Sequence, residues 1–147
     1  MIEVKDNEII IDGVVKDLNN VNLIKSENDS VYFSSNIVER IKKYPYNIEE
    51  VYKQINNAGL TNFWLTNNTI INLNNIESVH IKYYQYAGLS IIETSKLNAE
   101  KCFVNMVCKN RKIESIGFSS DKEAEKFYHE LDDKLIEIKS SQLYRGK

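Results

Sequence analysis

The residues that could carry catalysis are few and lie far apart in the sequence. His80 falls in a predicted strand and His129 on a predicted C-terminal helix, and neither belongs to a catalytic motif. A nucleophile needs a Ser, Cys or Thr beside a histidine that a carboxylate orients. The five glycines do not cluster into a phosphate-binding loop. We therefore predict that the protein is not an enzyme; catalysis would require one of these histidines, a carboxylate and a nucleophile in a single pocket.

The cysteines predict neither a disulfide nor a metal site. Cys102 and Cys108 occupy one predicted strand, which separates their Cα atoms by roughly 20 Å, too far for a disulfide with each other. Zinc needs more ligands than these thiols supply, and only His80 and His129 are available to add to them. We expect both thiols to be buried, and we expect no metal and no cofactor.

A cluster of cations occupies a predicted hairpin tip. Lys109, Arg111 and Lys112 surround Asn110 between two predicted strands. Such a tip could bind the phosphate of a nucleotide, a lipid headgroup or another small ligand. Charged loop tips are also common without this role, and salt screens exposed cations. Phosphate or ligand binding at these three residues is therefore the second of two functional hypotheses.

Aromatic residues support the first hypothesis, which is protein binding. Tyr83, Tyr84 and Tyr86 end a predicted strand, so Tyr84 and Tyr86 share one face and Tyr83 takes the other. Trp64 is a further candidate in the same group. Tyr and Trp are enriched in protein interfaces. Packing between two lobes of the chain would account for the same residues, and self-association is a third explanation.

Residues 1–60 indicate an N-terminal α+β lobe. Asp12-Gly13 predicts a two-residue hairpin turn within a meander of about four short strands. Residues 37–57 predict two short helices joined at Pro45, the second capped by Asn47 and stopped by Gly59. The first of these helices would carry four apolar residues on one side, namely Ile37, Val38, Ile41 and Tyr44.

Residues 61–139 indicate a second lobe of six strands and one helix. The period of two returns at Asn62 and continues through successive hairpins to Phe118. Ser120 and Glu123 form a capping box, and the helix that follows carries one apolar stripe. That stripe consists of Ala124, Phe127, Tyr128, Leu131, Leu135 and Ile138. Residues 140–147 are expected to form a frayed tail.

One segment of the first lobe is similar in sequence to a segment of the second. The segments VVKDLNNVNLIK and TIINLNNIESVHIK share a Leu-Asn-Asn core, and each is followed by further strands and a Phe-Ser-Ser step. Asn-rich turns and Ser caps also recur by chance, so duplication and coincidence both stay open.

Residues 62–138 resemble the short bacterial pleckstrin-homology-like (PH-like) domains. The resemblance lies in FWLTNNTIINLNNIESVHI, a strand pair, and in VNMVCKNRKIESIGFSSDKEAEKFYHELDDKLIEI, a hairpin that leads into a capped helix. It implies a bent antiparallel sheet closed at one end by the C-terminal helix. Six predicted strands are one fewer than the family's usual seven. PH-like folds host lipid, peptide and protein binding, so the resemblance does not determine function.

Composition limits the partners that we expect. The net charge of −2 provides no field for nucleic acid, and the sequence has neither a signal peptide nor an apolar run that could span a bilayer. We predict a cytoplasmic α+β protein that binds a protein partner, with a homodimer as one form. Abundant Asn, Ile, Lys and Tyr suggest a bacterial or mobile-element gene. A phage- or plasmid-encoded inhibitor of a host defence enzyme is one specific version of this hypothesis.

Overall fold

The computed structural model describes residues 1–37 and 40–145. Over these residues the chain is an α+β protein with eleven strands in three antiparallel sheets and two α-helices. It divides into two compact units, Met1–Asn75 and Ile76–Lys147. In the described residues no helix is long and apolar enough to cross a membrane.

The first unit opens with a three-stranded sheet of consecutive hairpins, β1 (Ile2–Lys5), β2 (Glu8–Ile11) and β3 (Val14–Asp17). The predicted turn forms, since Asp12 has φ 49° and Gly13 has φ 81°. Positive φ at both central residues defines the turn that matches the twist of paired strands. The sequence pattern did not predict β1.

The second sheet of this unit has the order β5-β4-β7-β6. Its strands are β4 (Val21–Glu27), β5 (Ser30–Ser35), β6 (Phe63–Thr66) and β7 (Thr69–Asn72). β4 pairs with β7, which joins strands far apart in the sequence. The core of the unit is apolar and includes Ile9, Ile11, Leu18, Val21, Ile24, Val31, Tyr44, Ile48, Val51, Ile55, Phe63 and Ile70.

Helix α1 (Ile48–Asn57) confirms one of the two predicted short helices. The Asn47 side chain accepts a hydrogen bond from the backbone N of Glu49 at 2.8 Å and so caps the helix. Gly59, with φ 82°, follows its last turn. Ile48, Val51 and Ile55 are the buried residues of the helix.

The other predicted helix, over residues 37–44, is wrong where the structure describes it. Residues 40–43 have no helical structure, and Tyr44 exchanges both backbone hydrogen bonds with Val31, at 2.8 and 2.9 Å. Two forces oppose the helix: this strand-type pairing and Pro45, which disfavours helical backbone at the residue before it. Ile37 and Ile41 are exposed, and Val38 lies outside the described residues.

The second unit is a four-stranded sheet of order β11-β10-β8-β9. Its strands are β8 (Ile76–Ala87), β9 (Ser90–Glu93), β10 (Lys101–Cys108) and β11 (Ile113–Phe118). All six strands predicted after residue 60 are present, counting β6 and β7. The predicted closure of the sheet is not seen among the described residues, and β9 and β11 are its two edges.

Helix α2 (Asp121–Arg145) packs against β8, β10 and β11. The predicted Ser120 cap forms, because Ser120 Oγ accepts from the backbone N of Glu123 at 3.5 Å. The buried residues of the predicted stripe are Ala124, Phe127, Leu131 and Leu135. The helix extends to Arg145, so the predicted tail is helical up to that residue. Fraying of residues 140–147 stays a prediction, and residues 146–147 lie outside the described residues.

The boundary between the lobes also differs from the expectation. The sequence placed it between residues 60 and 61, whereas the compact units meet between Asn75 and Ile76. The cause is strand pairing, because β7 bonds to β4 and draws the β6–β7 hairpin into the first unit. The segment 62–138, for which the sequence predicted a PH-like domain, therefore extends across both units.

The two Leu-Asn-Asn segments have equivalent local structure. Each copy forms a 3₁₀ turn, Leu18–Asn20 after β3 and Leu73–Asn75 after β7. In each, the side chain before the leucine accepts a hydrogen bond from a backbone N two residues on: Asp17 from Asn19 at 2.9 Å, and Asn72 from Asn74 at 3.2 Å. A hairpin precedes each turn and a strand follows it at the same sequence spacing.

Candidate functional site

The contacts of Tyr83 that follow all lie within the second unit. It lies opposite the buried Cys102 in the strand register, on the face that α2 covers, and its hydroxyl donates to Glu125 Oε1 at 3.3 Å. Burial, together with the Glu125 charge, raises the pKa of Tyr83. Lys96 forms an ion pair with the same carboxylate and, by its hydrogen bond, lowers the pKa of Glu125.

Tyr84 and Tyr86 behave differently from each other. Tyr84 packs edge-to-face on Phe103, with ring centroids 5.5 Å apart. Tyr86 is 58% exposed, and its backbone N donates to Glu100 Oε1 at 3.2 Å. Trp64 is half-buried on β6 of the first unit, whereas the tyrosines belong to the second. Of the four candidate aromatics, Tyr86 presents the most surface.

The basic turn is partly neutralised. Lys109 and Arg111 are exposed, but Lys112 Nζ lies 3.3 Å from a carboxylate oxygen of Glu114. Glu114 is only 5% exposed, so this lysine compensates a buried negative charge. Two exposed cations remain at the tip.

The two histidines contact ordinary neighbours. His80 is exposed, and its Nε2 lies 3.3 Å from Ser78 Oγ. His129 is exposed on α2, edge-to-face with Tyr128 at 5.4 Å. Among the residues that the structure describes, no group of three or more His, Cys, Asp or Glu side chains is placed to hold a metal ion.

Several exposed apolar side chains of the second unit lie on β9 or near it in the sequence. All four β9 residues are exposed, and Ile91 and Ile92 are 45% and 46% exposed. Leu89 is fully exposed and Leu97 is 96% exposed. We name the set Tyr86, Leu89, Ile91, Ile92 and Leu97 the apolar edge.

Local structure presents these side chains. Gly88, with φ 64°, makes a two-residue turn between β8 and β9 and leaves Leu89 at its tip. Leu97 lies in a short 3₁₀ turn, Lys96–Asn98. The Lys96–Glu125 ion pair ties this turn to α2, so Leu97 is presented by an anchored segment.

Four members of the apolar edge were missed from the sequence. Leu89 had a usable signal, because a leucine occupies a hairpin tip where turn-forming polar residues are the rule. Ile91 and Ile92 are adjacent in a short strand, which places one on each face. The sequence did not show that β9 is an edge strand, since this depends on the order of strands in the sheet.

The thiols provide a test of burial. Cys102 and Cys108 are buried, free, and on the same face of β10, as predicted. Burial raises the pKa of Cys102, and it raises the pKa of Cys108 from 9.0 to about 12, aided by the Glu114 charge.

We predict that neither thiol of the native protein reacts with an aromatic disulfide reagent at pH 8, and that both react in denaturant. The thiolate is the reactive form, and the fold disfavours it. Below pH 9 both folded and unfolded Cys108 keep their proton, so stability is unaffected. Between pH 9 and about 12 only the unfolded thiol ionises, so stability falls as pH rises. Rapid labelling of the native protein would contradict the buried placement.

No protein-family model, curated protein sequence or solved structure matches this chain significantly. The elements of the structure define the class of the fold, an α+β protein of antiparallel sheets with a long C-terminal helix.

Proposed function

We propose that this protein acts by binding a protein partner through the apolar edge of its second unit. The observation that carries the proposal is the exposure of large aliphatic side chains at the free sheet edge β9. Burying one such side chain contributes roughly 1.5–3 kcal/mol. An exposed group of this kind marks interaction sites.

Tyr86 extends the proposed surface and keeps part of the aromatic hypothesis. It lies opposite Ile91 in the β8–β9 register, so both side chains share one face. Aromatic residues beside aliphatic ones are typical of the centre of an interface. A PH-like architecture of residues 62–138 is part of this proposal, and the hairpins and the capped C-terminal helix of that segment support it.

The test is capture from cells that express the gene, with matched variants and quantitative mass spectrometry. Changing both Leu89 and Ile91 to Lys should abolish capture of the partner. Changing Lys109, Arg111 and Lys112 together to Ala should leave it intact. A Val15→Lys variant is the control, because Val15 is an exposed β-branched residue on β3 of the first unit.

The opposite pattern would favour the ligand hypothesis. If the triple Ala variant loses binding and the Leu89 and Ile91 variant keeps it, the apolar edge is not the functional surface. Inorganic phosphate should then raise the unfolding temperature of the unmodified protein but not that of the triple variant.

A further inference from the structure

The free side of β9 carries backbone groups without partners. Thr94 follows β9 directly, and its backbone N donates to Tyr83 O at 2.8 Å. Thr94 and Tyr83 are therefore a hydrogen-bonded pair of the ladder. Because hydrogen-bonded pairs alternate along an antiparallel ladder, the N–H and C=O groups of Ile91 and Glu93 point away from β8. Within the described residues, no backbone hydrogen bond outside the ladder involves these two residues.

This edge has few of the features that prevent strands from pairing with other chains, although the strand is only four residues long. Natural edges are blunted by Pro, by Lys or by bulges. The sequence of β9 is Ser-Ile-Ile-Glu, and its register with β8 is regular. Glu93 is its one charged residue, and Lys82 lies 3.5 Å from that carboxylate. Each face of the strand therefore carries one isoleucine, and its one carboxylate is locally neutralised.

We propose that a second copy of this chain occupies the edge, by antiparallel pairing of the two β9 strands about a twofold axis at Ile91. This inference rests on the proposed function and names its partner. The two four-stranded sheets become one eight-stranded sheet. The outward N–H and C=O groups of Ile91 in the two copies bond to each other, and Glu93 of each copy lies opposite Leu89 of the second.

Charge and symmetry favour a second copy as the occupant. A twofold interface is self-complementary, so each copy supplies the short, apolar, unpaired strand that the other requires. In this register each Glu93 faces a leucine, so the two carboxylates are not opposed. One pair of four-residue strands is a small contact beside the ~800 Å² per partner of a standard interface, so we expect weak association that depends on protein concentration.

Sedimentation across the micromolar range tests the proposal. The average mass of the unmodified protein should rise from monomer to dimer with concentration. Ile91→Lys should remain monomeric with an unchanged circular dichroism spectrum, because a lysine at the centre of the pair opposes its own copy. Val15→Lys should dimerise like the unmodified protein.

Cross-linking tests the register. Two copies of Ile91→Cys would place Cα atoms about 5.5 Å apart, within disulfide range, whereas Ser90→Cys lies off the axis. The native thiols are buried and should not interfere. Under mild oxidation Ile91→Cys should form a covalent dimer at least tenfold faster than Ser90→Cys.

A monomer at all concentrations, or equal cross-linking of the two variants, would overturn the self-pairing. If such a monomer still captures a protein that the Leu89 and Ile91 variant loses, the proposed function survives with a different partner. If the unmodified protein is a monomer, and the Leu89 and Ile91 variant captures every protein that the unmodified protein captures, both proposals fail.

Discussion

Replacing Phe127 with Ala should lower the free energy of unfolding of the second unit by about 4 kcal/mol. Phe127 is 2% exposed on α2, and its ring centroid lies 5.4 Å from that of Phe118 on β11. Truncation removes the buried ring and leaves a cavity between the helix and the sheet. The measurement is urea unfolding followed by far-ultraviolet circular dichroism.

Ile136→Ala is the matched control on the same helix. Ile136 is 56% exposed, and Ala is the better helix former, so we expect a change below about 0.5 kcal/mol. Trp64, the single tryptophan, reports on the first unit, so its fluorescence shows whether that unit unfolds with the second. A loss below about 1 kcal/mol for Phe127→Ala would contradict the packing of α2 on the sheet.

Asn72→Ala should destabilise the first unit by about 3 kcal/mol. Asn72 is 1% exposed, and its Nδ2 donates to Val21 O at 2.9 Å and Leu18 O at 3.2 Å. Its Oδ1 accepts from Asn62 Nδ2 at 2.7 Å and Asn74 N at 3.2 Å. Alanine leaves these partners in the interior without water to replace the amide, and the unmade bonds carry most of the cost.

Trp64 fluorescence during urea unfolding follows this change directly, since Trp64 lies opposite Ile71 in the same sheet. The control is Asn56→Ala, because Asn56 is exposed on α1. It should change stability by no more than about 0.5 kcal/mol. Equal effects of the two substitutions would show that the buried amide does not connect the Leu18 turn to β7.

Short-range features were the part of the fold that could be predicted. The Asp12-Gly13 turn, the Asn47 cap and the Ser120 cap each depend on bonds between residues a few positions apart. Alternation also predicted the buried face of β10 correctly. Residues 37–44 had equally good helical spacing, yet Tyr44 pairs with Val31, so a tertiary contact overrode the local pattern.

Long-range strand order was not predictable. Asp17 and Asn72 open equivalent turns, yet Asn72 is buried in a network that reaches Leu18 and Val21, and Asp17 is exposed. The two positions look alike in the sequence because the turn needs the same side-chain oxygen at both. Their burial differs because β7 pairs with β4.

The apolar edge and the rest of the candidate site show the same division between features set by nearby residues and features set by distant ones. The sequence by itself determined the hairpins, the helix caps, the apolar stripe of α2 and the buried thiols, because these follow from turn chemistry and periodicity. Only the tertiary structure decided that β9 is a sheet edge and that Tyr83 bonds to Glu125. The physical reason is that strand neighbours and ion-pair partners are chosen by packing among segments distant in the chain, which no local pattern encodes.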